Sequence, residues 1–293
     1  MGKIFDALEK ANRKNASAVL LSVTPEKRRQ RRSKPQHRDR TKPVKPANNK
    51  QENVVSLMDA NRNKAGLLDQ TLITYHAPQS VEAELFKVLR TNILFPAKGT
   101  PPKSILVTSA LPGDGKSFVS SNLAISIAQG IEEYVLLVDG DLRKPAIHDR
   151  FGFGNVSGLS EYLKHGDDIG GAFLKSSIEK LTLLPAGEPP ANPSELMSSK
   201  KMKALMEELT TRYSDRYVII DSPPPNMAAE TNAIAKYADG IILVVRAQKT
   251  PREAVAETIE KIGKEKLIGI VLNQADQSAT KYYGYTKSYY RQK

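Results

Sequence analysis

SILVTSALPGDGKSFVSS, at residues 104–121, is the stretch that decides how the rest of the chain is interpreted. Its apolar residues Ile105, Leu106 and Val107 favour a β-strand, a Pro/Gly turn follows, and a Lys-Ser pair begins a helix-forming segment. A strand, a glycine loop and a helix start in this order are typical of a P-loop. Glycines let backbone N–H groups surround phosphate oxygens, and the helix N-terminus adds donors and a favourable dipole. The stretch therefore predicts a nucleotide site.

Individual residues of this loop have distinct expected roles. Lys116 is placed to reach the β- and γ-phosphates, and the Ser117 hydroxyl is placed to bind Mg²⁺. Ala110 occupies the position where the P-loop consensus has its first glycine. The alternative is therefore a glycine-rich loop that has no role in binding phosphate. The complete order of strand, loop and Lys-Ser pair disfavours this alternative. ATP and Mg²⁺ are the expected cofactors. The residues assigned to nucleotide binding are Pro112, Gly113, Asp114, Gly115, Lys116, Ser117, Phe118 and Asn273.

The composition excludes several classes of protein. The 293 residues contain no cysteine, which excludes disulfides and thiolate metal sites and suits a reducing compartment. No apolar run approaches the roughly 20 residues that a membrane span requires. Charges also occupy the N-terminus, where a signal peptide needs an apolar core. We therefore expect an intracellular protein with one large α/β domain and a tail.

The net charge of +12 is concentrated in one segment. Between residues 25 and 50, eleven Lys and Arg face only Glu26 and Asp39, which leaves +9 there and a nearly neutral remainder. The surrounding residues, 15–74, lack sustained periodicity and are predicted to be a disordered basic linker. Its charge suits an anionic membrane surface, nucleic acid or an acidic partner, and a plain solvated linker is an equal alternative. Because the basic residues lie outside the predicted folded body, nucleic acid is not the expected partner.

Residues 1–14 show a separate amphipathic pattern. Ile4, Phe5, Leu8 and Ala11 recur at the spacing of one helical face, and charged residues occupy the opposite face. A helix this short is marginal in water by itself. It is expected either to dock on a partner or a membrane surface, or to pack on its own domain, and both interpretations stay open.

Apolar runs and helical patterns alternate through residues 75–275, the predicted folded domain. Continuous apolar runs are expected of parallel strands that are buried on both faces. Strands that alternate with helices through right-handed crossovers give an α/β fold, a doubly wound and mostly parallel sheet, with its ligand at the carboxyl ends of the strands. Helices are predicted at 79–94, with Ser80 as its N-cap and Pro96 beyond its end, and at 116–129, 160–164, 191–209 and 251–262, and strands at 105–107, 134–138, 181–184, 217–220, 240–245 and 267–272.

Three carboxylates follow predicted strands. Asp139, Asp141 and Asp221 each lie at or just after the carboxyl end of an apolar run, so they are expected to converge on the phosphate loop. Mg²⁺ prefers carboxylates, a hydroxyl and retained waters. Asp221 fits the Walker B role of holding the metal opposite Ser117, and Asp139 is expected to assist the metal or to accept the proton of an attacking hydroxyl. The predicted catalytic set is Lys116, Asp139, Asp141 and Asp221, and the predicted metal set is Ser117, Asp139 and Asp221.

Longer motifs occur in a fixed order around these residues. VLLVDGDLR (135–143) resembles the extra acidic motif, called Walker A′, of the bacterial tyrosine kinases of the polysaccharide co-polymerase system. PGDGKS (112–117) resembles their P-loop, and DSPP (221–224) resembles their Walker B. The resemblance spans residues 82–273 and implies a P-loop NTPase fold of the deviant-Walker type. The implied activity is an ATP-dependent protein-tyrosine autokinase that regulates capsule or exopolysaccharide polymerisation and export. RKPAIH (143–148), GLSEYL (158–163) and LPAGEPPANPSELM (184–197) agree with the same family.

The same resemblance implies a role for the first helix of the domain. Glu84, Lys87 and Arg90 match the family's E-x-x-R-x-x-R oligomerisation helix, with Lys in the middle position. A homo-oligomer, in the family a ring, is therefore expected, although Lys lacks the planar fork with which Arg pairs carboxylates. The family often carries a transmembrane activator, either fused to the kinase or separate, and we expect none within this sequence. We therefore expect a membrane adaptor in trans and a cytoplasmic chain that is peripheral to the inner face of the membrane.

A tyrosine cluster lies near the end of the chain, in the predicted tail 276–293. The segment KYYGYTKSYY (281–290) holds five of the eleven tyrosines without apolar periodicity, and its Gly, Thr, Ser and Lys neighbours suit an exposed peptide. The alternative is an aromatic terminus with no role. In the resembled family such a cluster is the autophosphorylation substrate of a neighbouring subunit. The implied acceptors are Tyr282, Tyr283, Tyr285, Tyr289 and Tyr290.

Two other functions are weighed against the kinase. ATPases that position the septum or chromosomes share the expected fold, but they carry a signature lysine early in the loop, where this chain has Leu111 and Pro112. They also lack the tyrosine tail. A nucleotide-gated scaffold of polysaccharide export without kinase activity is the second alternative. The pair Asp139 and Asp141 argues against it, because a protein that only binds nucleotide needs fewer carboxylates.

Overall fold

A computed structural model describes residues 67–166, 168–211 and 216–275, together with the backbone of one strand at Ser17–Leu20. The predicted docking helix 1–14, most of the predicted linker and the predicted tail 276–293 lie outside these residues. Within the described part, no helix is both long enough and apolar enough to cross a membrane.

The strands are β1 (Ser17–Leu20), β2 (Ser104–Ser109), β3 (Tyr134–Asp139), β4 (Leu174–Lys175), β5 (Leu181–Leu184), β6 (Arg216–Asp221), β7 (Gly240–Arg246) and β8 (Leu267–Asn273). They form one sheet in the order β1-β8-β7-β2-β6-β3-β5-β4. Every pairing is parallel except the short antiparallel pair of β4 with β5. The parallel pairings confirm the predicted doubly wound α/β sheet.

Helices cover both faces of this sheet. They are α1 (Ile73–His76), α2 (Val81–Leu94), α3 (Lys116–Ala128), α4 (Ile147–Arg150), α5 (Leu159–His165), α6 (Ile169–Ala172), α7 (Pro193–Met197), α8 (Lys200–Thr211), α9 (Ala229–Ala235) and α10 (Arg252–Ile262), and a 3₁₀ turn occupies Lys264–Lys266. All six residues of β2 are buried, as expected of a parallel strand covered on both sides. Because side chains alternate along a strand, Ile105 and Val107 join one apolar cluster and Leu106 joins the other.

Helix α2 has the boundaries that its sequence predicts. The Ser80 side chain caps its N-terminus by accepting a hydrogen bond from the Ala83 N–H at 3.1 Å. The helix ends at Leu94, two residues before Pro96. Leu85, Phe86 and Leu89 are buried along one face, so the helical spacing seen in the sequence is the face that packs on the domain.

Residues 191–209 form two helices, α7 and α8, where the sequence predicts one. Side-chain hydrogen bonds interrupt the helix at a pair of serines. The Ser198 hydroxyl donates to the Ser194 carbonyl at 2.7 Å, and the Ser199 hydroxyl accepts from the Met202 N–H at 3.1 Å at the start of the next helix. The serines therefore end one helix and cap the other.

The ordered chain extends into the segment that the sequence assigns to the linker. Strand β1 pairs in parallel with β8, with Ser17 opposite Gly269 and Leu20 opposite Leu272. Leu72 is fully buried, and the buried Thr74 hydroxyl donates to the Asn122 side chain at 2.7 Å. These contacts join residues that are remote in sequence, which is why local composition predicts no structure there.

Candidate active site

The phosphate loop lies between β2 and α3, at the carboxyl edge of the parallel sheet. Gly113 has a φ of +84° and Gly115 a φ of +100°, a backbone conformation that residues with a Cβ rarely adopt. Gly115 is the N-cap of α3, so the first N–H groups of that helix have no partner within the helix and are available to an anion. A Cβ at Gly115 would overlap the Asn273 side-chain amide. The geometry is that of a phosphate cradle.

Asp114 braces this loop from inside. One carboxylate oxygen accepts from the Leu111 N–H at 2.9 Å, and the other accepts from the Thr250 hydroxyl at 2.7 Å. Asn273 donates from its amide to the Asp114 carbonyl at 2.8 Å. Burial raises the pKa of the Asp114 carboxyl, and the two hydrogen bonds partly offset that effect. Asp114 therefore ties the loop to the segment that follows β7, and Asn273 ties it to the end of β8.

Replacing Gly115 with Ala is expected to abolish nucleotide binding, because the methyl group meets the Asn273 amide and the backbone must hold a strained positive φ. Isothermal titration with ADP and Mg²⁺ measures the loss. Gly154→Ala is the matched control, since a Cβ there meets nothing within 4 Å. Wild-type affinity in the Gly115 variant would show that the loop relaxes and does not bind phosphate in this form.

The predicted convergence of carboxylates is observed. Asp139 and Asp221 are opposite each other at the ends of the neighbouring strands β3 and β6, and Asp141 lies two residues beyond Asp139. The Lys116 ammonium is 2.9 Å from an Asp141 carboxylate oxygen. Burial opposes the charge of Lys116, but Asp221 and Asp141 outweigh that effect and raise the pKa of Lys116. The lysine is therefore charged and lies within the acidic cluster.

Asp221 is fully buried, and neither of its carboxylate oxygens has a hydrogen-bond partner. Burial raises the pKa of Asp221 above its ordinary range. Lys116 and the Ser117 hydroxyl lower it in part, although neither forms a hydrogen bond of normal geometry with the carboxylate. A buried carboxylate without donors is costly unless a cation approaches it. The site therefore fits a metal ion held by Asp221 and Ser117.

Asp139 makes different contacts from the other two carboxylates. One oxygen accepts from the Ala146 and Ile147 N–H groups at 3.0 Å each, at the start of α4, and the other accepts from the Asp141 N–H at 3.2 Å. Burial, together with the charge of Asp221, raises the pKa of Asp139 to about 7. Asp139 therefore shapes the loop that carries Asp141 and remains close to half-protonated at neutral pH.

The available oxygen ligands suit an Mg²⁺ ion whose coordination is completed by water and phosphate, and not a metal held entirely by protein side chains. Among the described residues, no group of three or more His, Cys, Asp or Glu side chains is arranged to hold a metal. Mg²⁺ is commonly bound by one or two carboxylates together with water and substrate phosphates. Asp221 and Ser117 match that type of site, whereas the oxygens of Asp139 are already engaged by backbone N–H groups.

A cleft of about 310 Å³ opens beside the phosphate loop. Of the predicted nucleotide-binding residues, six line it and two, Pro112 and Asp114, do not. Its walls also include Thr71, Arg150 and Gln274, which are not among the residues predicted to bind nucleotide. Thr71 belongs to the predicted linker, and no motif marks the other two. The residues that line the cleft are Thr71, Gly113, Gly115, Lys116, Ser117, Phe118, Arg150, Asn273 and Gln274.

Comparison with known proteins identifies the family. No family model matches the chain. The tyrosine-protein kinase YwqD of Bacillus subtilis (strain 168) is 37% identical over 240 residues, which cover 80% of this chain and 100% of that protein. The putative tyrosine-protein kinase CapB of Staphylococcus aureus is 34% identical over 218 residues, which cover 73% of this chain and 94% of that protein. The chain belongs to the bacterial tyrosine-protein kinase family.

Solved structures agree with this assignment. The crystal structure of the chimerical protein CapA2B2 is 34% identical, with a TM-score of 0.64, and the match covers 74% of this chain and 98% of that chain. The kinase domain of the Escherichia coli tyrosine kinase ETK is 29% identical, with a TM-score of 0.64, and covers 69% and 79%. The family decides against the positioning ATPase, and this kinase has the P-loop fold that its motifs predict.

The kinase's predicted oligomerisation residues lie on α2. Lys87 forms an ion pair with Glu84 at 3.0 Å on the same helix. The Arg90 guanidinium donates to the Ser126 carbonyl of α3 at 2.7 Å. Within a single chain Arg90 thus ties α2 to the helix that begins at the phosphate loop, and Glu84 and Lys87 are half-buried. Their role between subunits remains a prediction.

A further ion pair supports the segment after Asp141. The Arg143 guanidinium donates to Glu230 at 2.6 Å, and the Ser194 hydroxyl donates to the same carboxylate at 2.7 Å. Hydrogen bonds from Arg143 and Ser194 outweigh burial and lower the pKa of Glu230. Glu230 is fully buried and distant in sequence from both partners, so no local pattern marks it in advance.

Proposed function

We propose that this kinase transfers the γ-phosphate of ATP to tyrosine hydroxyls in the C-terminal cluster of a neighbouring copy. The observation that supports the proposal is the position of Lys116, which lies between the phosphate loop and the buried carboxylates. Family membership supports the tyrosine as acceptor. The acceptors Tyr282, Tyr283, Tyr285, Tyr289 and Tyr290 lie outside the described residues.

The chain's own residues account for each part of such a transfer. Backbone N–H groups at the start of α3 would bind the phosphates, and Lys116, which pairs with Asp141 in this structure, would contact the β- and γ-phosphates. The acceptor phenol oxygen forms a bond to the γ-phosphorus, the bond from that phosphorus to the ADP oxygen breaks, and the phenolic proton passes to a carboxylate. The proposed proton acceptor is Asp139 Oδ1, which accepts only the 3.2 Å hydrogen bond from the Asp141 N–H and so keeps a lone pair, in a carboxyl whose pKa of about 7 suits a general base.

Mg²⁺, bound by Ser117 and Asp221, would supply neutralisation of the phosphate charge that develops during transfer. Asp221 keeps its carboxylate free of other donors for this purpose. ATP and Mg²⁺ are accordingly the proposed substrate and cofactor.

We also propose a cellular role and partners for the kinase. Its curated relatives include CpsD of Streptococcus agalactiae, a tyrosine-protein kinase that is 33% identical over 206 residues. The proposed role is regulation of capsule or exopolysaccharide polymerisation and export, by self-association through α2 and with a transmembrane adaptor in trans. The basic linker would hold the chain at the anionic inner surface of the membrane. Several phosphates, each adding about −1.5 to −2 charges, would repel one another and release the assembly.

Replacing all five tail tyrosines with Phe is expected to remove most of the phosphate incorporated from ATP while nucleotide affinity stays unchanged. Mass spectrometry of the full chain with Mg·ATP, alone and with the cytoplasmic segment of its adaptor, measures this. Tyr75→Phe combined with Tyr134→Phe is the matched control, because these tyrosines are about 43% exposed and lie in the folded domain. Full labelling of the tail variant would place the acceptors elsewhere, and an unlabelled wild-type tail in both conditions would refute the autokinase.

A further inference from the structure

Arg150 is the last residue of α4 and lines the same cleft as the phosphate loop. Two contacts fix its position. Its guanidinium donates to the Thr71 hydroxyl at 2.7 Å, and its carbonyl accepts from the Asp69 N–H at 2.9 Å. Both partners come from the segment that precedes α1, so a part of the chain outside the P-loop and Walker motifs holds this arginine in place.

One polar group of Arg150 has no partner. Its Nε is buried and makes no hydrogen bond, and among the residues that the structure describes no carboxylate lies within ion-pair distance of its guanidinium. A buried guanidinium N–H without an acceptor costs free energy that a bound anion would recover. By contrast, Lys116, the other cation of the cleft wall, is already paired with Asp141.

Arg150 and Lys116 are the two cationic side chains among the residues that line the cleft. An anion between Arg150 and the phosphate loop would therefore meet two cations, the Lys116 ammonium and the Arg150 guanidinium. Guanidinium groups suit phosphate because their planar N–H groups match its oxygens in pairs.

We propose that Arg150 binds a phosphate group of the nucleotide in the cleft, and that Thr71 positions it for this contact. The proposal adds a residue to the nucleotide site, and it rests on the proposed function only in taking ATP or ADP as the ligand. It makes Arg150 a phosphate-binding residue that the P-loop pattern does not include. It also connects the segment before α1 to the occupancy of the site.

The test is nucleotide binding to the full chain, measured by isothermal titration with ADP and with a non-hydrolysable ATP analogue in the presence of Mg²⁺. Arg150→Gln is expected to weaken affinity by about 10- to 100-fold, the range for loss of a charged hydrogen bond, and Arg150→Lys is expected to restore part of it. Arg252→Gln, an exposed arginine at the start of α10, is the matched control and is expected to bind as the wild type does. Unchanged affinity in Arg150→Gln would overturn the proposal.

A second experiment separates positioning of Arg150 by Thr71 from a general effect of Thr71 on the fold. Thr71→Val is expected to weaken nucleotide binding several-fold in the wild-type background and to have no further effect when combined with Arg150→Gln. An equal loss in both backgrounds would mean that Thr71 acts independently of Arg150, through folding or as part of the cleft wall, and would overturn its positioning role. Circular dichroism and thermal unfolding of each variant separate binding from folding.

The Arg150 titrations are repeated in the chain whose five tail tyrosines are Phe, so that nucleotide affinity is measured without any phosphorylation of the tail. Failure of the kinase proposal appears as absent phosphotyrosine in the wild type with normal nucleotide affinity. Failure of the Arg150 proposal appears as normal affinity in Arg150→Gln, whatever the phosphorylation result. The two outcomes are therefore distinguishable.

Discussion

Lys116→Met is expected to lower the rate of tyrosine phosphorylation by about a hundredfold to a thousandfold, the range for loss of one preorganised charge contact to the reacting group. Met keeps the length of the side chain but removes the ammonium that lies 2.9 Å from Asp141 and faces the phosphate loop. Phosphotyrosine measured by mass spectrometry after incubation with Mg·ATP reports the loss. Nucleotide titration in parallel shows how much of it comes from binding.

The Lys116 substitution is also expected to destabilise the folded protein. Asp141 and Asp221 then lose the cation that offsets their burial, so thermal unfolding moves to lower temperature, most clearly above pH 7. Lys144→Met is the matched control, since its side chain is exposed and only its backbone N–H contacts Asp141, at 3.1 Å. Wild-type phosphorylation in Lys116→Met would show that the phosphate site lies elsewhere.

Asp221→Asn is expected to have opposite effects on activity and on stability. Loss of the carboxylate that we propose as a metal ligand should reduce phosphorylation by about a hundredfold or more. The nucleotide-free protein should nevertheless unfold at a temperature higher by roughly a few °C at pH 8, because the substitution relieves the cost of burying this charge. Asn removes a buried charge that has no hydrogen-bond donor and that also raises the pKa of Asp139.

The pH dependence follows from the raised pKa values. A carboxyl whose folded pKa lies above its unfolded value binds more protons when folded, so its contribution to the free energy of unfolding falls as pH rises between the two values. For Asp139 this interval runs from 3.8 to about 7. The wild-type protein without nucleotide should therefore lose stability between about pH 4 and pH 7, and Asp221→Asn should lose less.

Differential scanning calorimetry at pH 5 and pH 8, in the presence of a chelator, tests this expectation. Asp149→Asn is the matched control, because that side chain is 75% exposed. Addition of Mg·ADP should stabilise the wild type at pH 8 and leave Asp221→Asn nearly unchanged. A lower unfolding temperature for Asp221→Asn at pH 8 would show that the carboxylate has stabilising partners in the nucleotide-free protein.

The sequence by itself determines those features of this kinase that depend on residues close together in the chain. The β2 strand, the glycines of the loop and the Lys116-Ser117 pair are neighbours in the chain, and their conformations follow from local sterics and helix capping. Buried parallel strands are marked by continuous apolar runs. Because parallel strands end at one edge of a sheet, these patterns also predict that Asp139 and Asp221 come together.

Only the tertiary structure decided how the loops between those strands are held. Asp114 and Thr250 are 136 residues apart, yet their hydrogen bond braces the phosphate loop. The contact of Arg150 with Thr71 spans 79 residues, and strand β1 joins the sheet from within a segment that composition marks as disordered. Hydrogen bonds of this kind depend on where folding brings two loops together, and the local periodicity of either segment cannot predict that contact.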